Sequence, residues 1–297
     1  MTTSPTISVC IVCRNEADKL AGCLDSVTWA DEVVVMDLSS TDGSAELARG
    51  RGARVLEHEP VPIVELVRNE VGAAAKGDWI LALDPDERVA DGLPEELRRL
   101  SRRDDIDMVA IPVMNYDFGF PASSALHRFD PKPRFYRRGT VEWPTAPNEL
   151  PKIDPNRVER LPEREELVLV HLRNRSIPEA LERAIRYAPA EAQALLDAGE
   201  VFTARKMLAR VASKARKQYF EARAFDDGVP GIVRATVLVT FHFYVWAAFW
   251  QLSGAQRTEE DDRTVRRVGR WIDVAFATGR TAKAPARLAR RLLGRSV

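Results

Sequence analysis

The sequence predicts an α/β fold with a mainly parallel sheet, and two observations lead to this prediction. Four short apolar segments alternate with three helical segments in the N-terminal part of the chain, and such alternation produces right-handed βαβ units. The last of these apolar segments is a continuous apolar run, typical of a strand buried on both faces of a sheet. The predicted strands are Ile7–Cys13, Glu32–Asp37, Arg54–Glu57 and Trp79–Leu83.

Acidic residues stand at the ends of two predicted strands. The second strand ends in Asp37, and the fourth is followed directly by Asp84-Pro85-Asp86. Unpaired carboxylates are costly to bury, whereas open α/β sheets bind ligands at the carboxyl ends of their strands. Asp84 and Asp86 can share a divalent cation that holds a diphosphate, and Asp37 can accept a hydrogen bond from a nucleobase. The alternative for the Asp-Pro-Asp segment is an acidic turn that caps the next helix.

Glycine-rich phosphate loops do not accompany these acids. The first predicted strand is not followed by G-x-G-x-x-G, and the chain has no G-x-x-x-x-G-K-[ST]. Rossmann dinucleotide binding and P-loop chemistry are therefore disfavoured. A nucleoside diphosphate bound without such a loop needs a metal ion.

Four motifs in order along the first hundred residues resemble the family 2 glycosyltransferases, which have a GT-A fold. The closest subgroup is typified by the lipopolysaccharide-core β-glucosyltransferases. In the same order as in that family, the motifs are Ile7–Glu16, Val33–Asp42, Val67-Arg68-Asn69 and Leu83–Arg88. The resemblance implies transfer of a sugar from a nucleotide-sugar donor, with Mg²⁺ or Mn²⁺ as cofactor.

The resemblance also implies roles for individual residues. Asp37 would bind the nucleobase, and Asp84 and Asp86 would bind the metal ion, Asp86 more directly. His171 would touch the metal ion or the diphosphate; the alternative is a structural histidine at a strand end. Arg68 would approach the nucleotide or its phosphates; the alternative is a surface residue paired with Glu65. The residues expected to line the nucleotide cleft from the first strand end are Arg14, Asn15 and Glu16.

An inverting transfer needs a general base for the acceptor hydroxyl. Glu142 and Glu149 follow the acidic motif, and Glu149 is favoured because it lies in a proline-rich loop without helical or strand pattern. The alternative is an exposed glutamate. The chain departs from its relatives next to this position, since it has Asn148-Glu149 where they tend to have His-Glu.

The C-terminal third has a different character, which predicts a catalytic domain over residues 1–175 and a helical extension over 176–297. Ser176 is the expected N-cap of a helix to about Leu196, a second helix is expected over about Val201–Ala224, and Ala284–Arg295 is expected to form a basic amphipathic helix. Residues 1–201 carry 25 Lys and Arg against 36 Asp and Glu, and residues 202–297 carry 19 against 8. The 22 residues Ala235–Gln256 contain no charged side chain, and both of their flanks are basic. Because both basic flanks favour the cytoplasmic side, we expect residues 229–256 and the basic C-terminus to lie on a membrane surface. The alternative is that Val237–Trp250 packs against the catalytic domain.

The expected activity is therefore an inverting glycosyltransferase at the cytoplasmic face of the cell membrane, acting on an envelope or surface-glycan precursor. The three cysteines are not expected to form a disulfide framework, and no secretory signal is expected at the N-terminus. Cys10 and Cys13 form a C-x-x-C segment on a strand, where they would face opposite sides, so neither a redox pair nor a shared metal site is expected. Nucleic acid is not an expected partner, because no DNA or RNA motif accompanies the arginines. Two alternatives stay open: a phosphatase that uses Asp84 as nucleophile, and a non-catalytic nucleotide-sugar-binding or scaffold protein of the same fold.

Overall fold

The structure is a computed structural model that describes residues 4–61, 63–122, 129–144, 151 and 153–277. The chain divides into two compact units. Residues 1–116 and 126–173 form the first unit, and residues 117–125 and 174–297 form the second.

The first unit is built on a seven-stranded sheet, and the predicted mainly parallel α/β fold is confirmed. Its strands are β1 (Ile7–Cys13), β2 (Glu32–Asp37), β3 (Arg54–Glu57), β4 (Trp79–Leu83), β6 (Met108–Ile111), β9 (Lys132–Arg137) and β10 (Val158–Arg160). Their order is β10-β6-β9-β4-β1-β2-β3, and β9 runs antiparallel to both neighbours while the other pairs are parallel. β1, β2, β3 and β4 have the bounds expected from the sequence. In a smaller sheet, β11 (Leu169–Asn174) lies between β5 (Glu87–Val89) and β7 (Val113–Asp117).

Helices cover both faces of the seven-stranded sheet and bury its side chains in two cores. These helices are α1 (Ala17–Asp25), α2 (Ser44–Gly50), α3 (Glu65–Ala74) and α4 (Leu93–Leu100). In one core, α1 and α4 pack on the face of β1 that carries Cys13. In the other core, α3 packs on the face of β1 that carries Cys10. Alternate residues of a strand face opposite sides, so the two cysteines of the C-x-x-C segment are separated by the sheet. The expectation that they form neither a redox pair nor a shared metal site agrees with this arrangement.

The second unit is helical, as expected for the C-terminal extension. Besides the short β8 (Phe120–Pro121), its elements are α5 (Ile177–Asp197), α6 (Ala204–Arg216), α7 (Gly228–Leu252) and α8 (Glu259–Ala277). α5 begins as predicted, because the Ser176 hydroxyl accepts a hydrogen bond from the Glu179 amide. The second predicted helix is shorter than expected: α6 ends at Arg216 and continues as a π-helical turn, Lys217–Glu221. The predicted basic helix Ala284–Arg295 lies outside the described residues.

α7 is the one helix among the described residues that is long and apolar enough to cross a membrane by length and composition. A third of its most apolar window is buried within the protein. Trp246 and Phe249 pack there on Ala192 of α5, together with Phe202 before α6 and Met207 within it. Part of the charge-free segment is therefore core of the second unit, whereas the alternative expected Val237–Trp250 to pack against the catalytic domain.

Candidate active site at the carboxyl ends of the parallel strands

The sheet order brings the two acidic strand ends to one edge of the first unit. β1 lies between β2 and β4, with Asp37 opposite Cys13 and Leu83 opposite Ile11. Neighbouring strands lie about 4.8 Å apart, so the ends of β2 and β4 are separated by roughly 10 Å. A nucleoside at one end and its diphosphate at the other would fit this separation.

The loops that follow β1 and β2 are tied together by hydrogen bonds. The Asn15 amide donates to the Ser40 hydroxyl over 2.9 Å, and the Thr41 amide donates to the Asn15 side-chain oxygen over 2.7 Å. The Ala17 amide donates to Asp42 over 2.9 Å. Asn15 thus fixes the shape of the expected nucleotide cleft, and the neighbouring Arg14 side chain is exposed.

Asp37 is buried at the base of this pair of loops. Its Oδ2 accepts a hydrogen bond of 2.9 Å from the Ser40 amide, and the Cys13 thiol donates to Oδ1 over 3.6 Å. Each carboxylate oxygen can accept a further hydrogen bond. The carboxylate is therefore oriented by its own loop and keeps the capacity to accept from a nucleobase.

Asp84 is held by two arginines from different elements. Arg68 of α3 donates to Oδ1 over 3.0 Å, and Arg134 of β9 donates to Oδ2 over 2.6 Å. Arg134 also donates to Glu87 over 2.9 Å, and the second oxygen of Glu87 accepts from the Asp84 amide over 2.9 Å. Glu87 is 1% exposed and Arg134 is 9% exposed. These contacts form a closed, buried network around the turn that follows β4.

Burial and the arginines act in opposite directions on the two carboxyl groups of this network. For Asp84, burial alone would raise the pKa, but Arg134 and Arg68 outweigh it and hold the pKa well below its usual range. For Glu87, burial outweighs Arg134, and the charge of Asp84 adds to it, so the pKa is raised. Asp84 is therefore the more acidic of the two carboxyl groups.

Asp86 lies against His171, which comes from the smaller sheet. β5 and β11 are antiparallel with Glu87 opposite His171, and this register brings His171 Nε2 to 3.4 Å from an oxygen of Asp86. His171 Nδ1 lies 2.9 Å from the side-chain oxygen of Asn115. Burial lowers the pKa of His171, but the contact with Asp86 outweighs it and the net shift is upward. Burial and the nearby Asp86 and Asp84 charges raise the pKa of Glu16, although Lys19 opposes them.

The donor set suits a divalent cation that takes some of its ligands from a substrate. Within the described ranges, no group of three or more His, Cys, Asp or Glu side chains is placed to hold a metal ion. Asp86 and His171 are adjacent, whereas both oxygens of Asp84 are engaged by arginines. Mg²⁺ in nucleotide sites is usually bound by one or two carboxylates plus phosphate oxygens, not by a cage of protein ligands. The residues present therefore fit a metal ion whose remaining ligands come from a diphosphate.

The structure decides between the two interpretations of Arg68. Its side chain is 12% exposed, pairs with Asp84, and lies 5.3 Å from the centre of the Trp143 ring. The next residue, Asn69, exchanges two hydrogen bonds with the Trp143 backbone, of 2.9 and 2.8 Å. Arg68 therefore pairs with Asp84 and not with Glu65, and its role toward the nucleotide stays a prediction.

Sequence reasoning assigned no role to Arg134 or Glu87, which complete the network. The sequence offers little signal for Arg134, because β9 reads Lys-Pro-Arg-Phe-Tyr-Arg and only the structure shows that Arg134 is the buried one of its three basic residues, which needs a buried partner. Of the two candidates for the general base, Glu142 is exposed. Glu149, the favoured one, lies outside the described residues.

Comparison with known proteins finds a family match in the N-terminal part of the chain. Residues 8–153 match the family described as "Glycosyl transferase family 2". An uncharacterized glycosyltransferase of Rickettsia bellii is 30% identical over 131 residues, covering 44% of this chain and 42% of the relative. An uncharacterized glycosyltransferase of Rickettsia typhi is 22% identical over 256 residues, covering 83% of this chain and 87% of the relative.

Other matches are partial or distant. A TPR repeat-containing protein of Synechococcus elongatus is 35% identical over 137 residues, which cover 44% of this chain and 34% of that protein. The chain thus spans less than half the length of this protein and of the Rickettsia bellii relative. The structure of a mannosyltransferase of Pyrobaculum calidifontis, solved with GDP-Man and Mn²⁺, is also similar. The sequence identity is 15%, and the match covers 97% of this chain and 86% of the mannosyltransferase chain. The TM-score of this comparison is 0.43. The family match and the Rickettsia relatives support a family 2 glycosyltransferase domain.

Proposed function

We propose that the chain, through its family 2 glycosyltransferase domain, is a metal-dependent inverting enzyme that transfers a sugar from a nucleoside-diphosphate donor. The proposed acceptor is an envelope or surface-glycan precursor, as in the lipopolysaccharide-core β-glucosyltransferase subgroup. The observation that carries the proposal is the meeting of Asp37, Asp84, Asp86 and His171 at the carboxyl ends of β2 and β4 and on the adjoining sheet.

In this proposal the donor lies across the ends of β2, β1 and β4. Asp37 accepts a hydrogen bond from the nucleobase, and Arg68 lies on the side of Asp84 where the diphosphate would bind. Asp86 and His171 hold Mg²⁺ or Mn²⁺. When bound, such an ion stabilises the negative charge that develops on the leaving diphosphate.

The buried network gives Asp84 a positioning role in the proposal. Arg134 and Glu87 fix both the side chain and the amide of Asp84, and Asp86 follows two residues later. Because these contacts hold the turn, the carboxylate of Asp86 keeps its place beside His171 without rearrangement when the donor arrives. Glu149 stays the proposed general base for the acceptor hydroxyl.

The second unit supports a proposed location at the cytoplasmic face of the membrane. Residues 202–234, which include α6, carry eight Lys and Arg against three Asp and Glu, and the apolar α7 follows. Basic segments attract anionic lipids, and apolar side chains enter the acyl boundary. Such a location would bring the enzyme to a lipid-linked acceptor.

The test is release of nucleoside diphosphate from a panel of nucleotide sugars, with and without Mn²⁺, in the presence of a membrane extract as acceptor. We expect one donor to be consumed in a metal-dependent manner and its sugar to appear in the extract. Binding of a nucleotide without turnover would favour the non-catalytic alternative. Hydrolysis of a phosphomonoester would favour the phosphatase alternative, which the arginines on both Asp84 oxygens disfavour because they block its attack.

A further inference from the structure

The second unit carries an exposed aromatic knuckle where α6 leads into α7. The knuckle comprises Tyr219, Phe220, Phe225, Val229 and Ile232. Phe220 is 65% exposed, Phe225 57% and Val229 72%. The Phe220 and Tyr219 rings lie 6.3 and 5.9 Å from the Phe225 ring, so the aromatic side chains form one cluster.

Well-packed backbone holds the knuckle in place. Ala222 and Ala224 are buried between its aromatic residues, and Arg234 of α7 forms a buried ion pair with Asp227. A Cβ atom at Gly231 would overlap the Ala224 carbonyl oxygen, so only glycine lets this turn approach α7. The Tyr219 hydroxyl also lies 2.6 Å from that of Thr236. The same turn buries two alanines and an ion pair while it leaves two phenylalanines in solvent.

The backbone of the knuckle is unusual in two ways. Residues Lys217–Glu221 form a π-helical turn, and Arg223 has a left-handed conformation with φ of 50°. π-helical turns are rare, and those that occur are often found at functional sites. A positive φ is disfavoured for any residue other than glycine. Together they turn Phe220 and Phe225 outward on neighbouring turns of the chain.

The charge around the knuckle favours an anionic partner. Each of the three acids in residues 202–234 is paired with an arginine of the same segment: Glu221 with Arg216, Asp226 with Arg223, and Asp227 with Arg234. The segment carries eight basic residues against these three acids, and one more of the eight, Lys206, pairs with Glu200 just before the segment. An apolar protrusion beside excess positive charge is complementary to the headgroup and acyl boundary of an anionic bilayer.

We propose that the knuckle is the point at which the protein enters an anionic lipid surface, with Phe220, Phe225 and Val229 in the acyl boundary and Lys217 at the headgroups. The proposal rests on the membrane association proposed above. It places the main apolar contact between protein and lipid at residues that precede the charge-free segment Ala235–Gln256 in the sequence. An exposed apolar cluster of this kind marks an interaction surface more often than an isolated exposed side chain does.

Vesicle sedimentation tests the proposal with a matched pair of variants. Phe220→Ser/Phe225→Ser removes the two exposed rings, and Phe120→Ser makes the same change at an exposed site in β8, outside the segment proposed to contact the membrane. We expect the double variant to bind phosphatidylglycerol-containing vesicles roughly tenfold or more weakly, and the control to bind as the wild type does. Lys217→Glu should weaken binding to these vesicles and leave any binding to neutral phosphatidylcholine vesicles unchanged.

A site-directed fluorophore gives a second, local readout. The native cysteines Cys10, Cys13 and Cys23 are buried, so a cysteine introduced by Phe225→Cys can be labelled selectively with an environment-sensitive dye. The dye should shift to the blue when phosphatidylglycerol-containing vesicles are added, and a dye at Phe120→Cys in β8 should shift less. The opposite order would overturn the proposal.

The outcomes separate this inference from the function it rests on. If wild type binds vesicles and the double variant binds equally well, the knuckle is not the insertion point and the proposal is wrong. If wild type binds no vesicles, the membrane association itself fails, whereas metal-dependent nucleotide binding still tests the enzyme. If the double variant instead changes a dimer to a monomer in sedimentation velocity without changing lipid binding, the knuckle is an interface between two copies and the lipid proposal is overturned.

Discussion

The two units place charged and apolar side chains in opposite ways. The first unit buries Glu87 and Arg134 in a network of hydrogen bonds with the partly buried Asp84 at a sheet edge. The second unit leaves Phe220 and Phe225 in solvent beside a basic helix. Each arrangement has a free-energy cost in an isolated protein. Buried charges lose their hydration and must be paired, and exposed aromatic side chains stay in contact with water. The comparison indicates a compact site for a small charged ligand in one unit and an extended contact with a surface in the other.

Removing the carboxylate of Asp86 is expected to have the largest effect. Asp86→Ala should reduce sugar transfer by more than about a hundredfold, because the metal ion would lose its carboxylate ligand, while circular dichroism should show an intact fold. Asp91→Ala is the control, since Asp91 is exposed in the turn before α4. Full activity of Asp86→Ala would contradict the metal assignment.

The next largest effect is expected on stability. Arg134→Met leaves the Asp84 and Glu87 carboxyl groups without their shared partner, which should lower the free energy of unfolding by about 3–5 kcal/mol in urea titrations. The same change at exposed Arg102 should stay within about 0.5 kcal/mol. An equal loss in both variants would show that the network adds no stability.

The same network predicts a dependence on pH. The folded-state pKa of Asp84 lies below its ordinary value of 3.8, so its contribution to stability is complete above that pH and is lost as the pH falls through the lower, folded-state pKa. The wild type should therefore lose stability below about pH 4 more steeply than Arg134→Met does. Parallel stability curves for the two proteins would argue against an ionised Asp84.

A smaller effect is expected at Arg68. Arg68→Ala should raise the KM for the donor roughly tenfold or more, because a charge-assisted contact to the diphosphate is lost, with a smaller change in kcat. Glu65→Ala on the same helix should leave KM unchanged, because the two side chains do not act as a pair. A large fall in kcat with unchanged KM would place Arg68 in transition-state stabilisation instead of donor binding.

These comparisons also show which features could be predicted from the sequence. β1, β2, β3 and β4 and the acids at their ends are local patterns of apolar runs and turn residues, so the strands and the position of the site followed directly. The Arg134–Glu87 pair joins residues far apart in the chain, and only the sheet register brings them together. The end of α6 was missed because its helical pattern continues through Lys217–Glu221, where the backbone widens into a π-helical turn.

The smallest effect concerns the three thiols. Burial raises the pKa of Cys10 to about 12, and it also raises the pKa of Cys13, with a further contribution from Asp37. Because the thiolate is the reactive form, native protein should react negligibly with a thiol-specific disulfide reagent at neutral pH, and urea-unfolded protein should react fully. Rapid reaction of one thiol in native protein would show that the β1 edge opens to solvent.

The central claim, that the strand-end site binds a nucleoside diphosphate through a metal ion, is tested most directly by isothermal titration. Purified protein would be titrated with a panel of nucleoside diphosphates, with and without Mn²⁺, beside Asp37→Ala and Asp86→Ala. We predict that one nucleotide binds only with Mn²⁺, and that both variants lose this binding while the Asp91→Ala control keeps it. Binding that is unchanged without metal or in Asp86→Ala, or no binding of any nucleotide, would contradict the account.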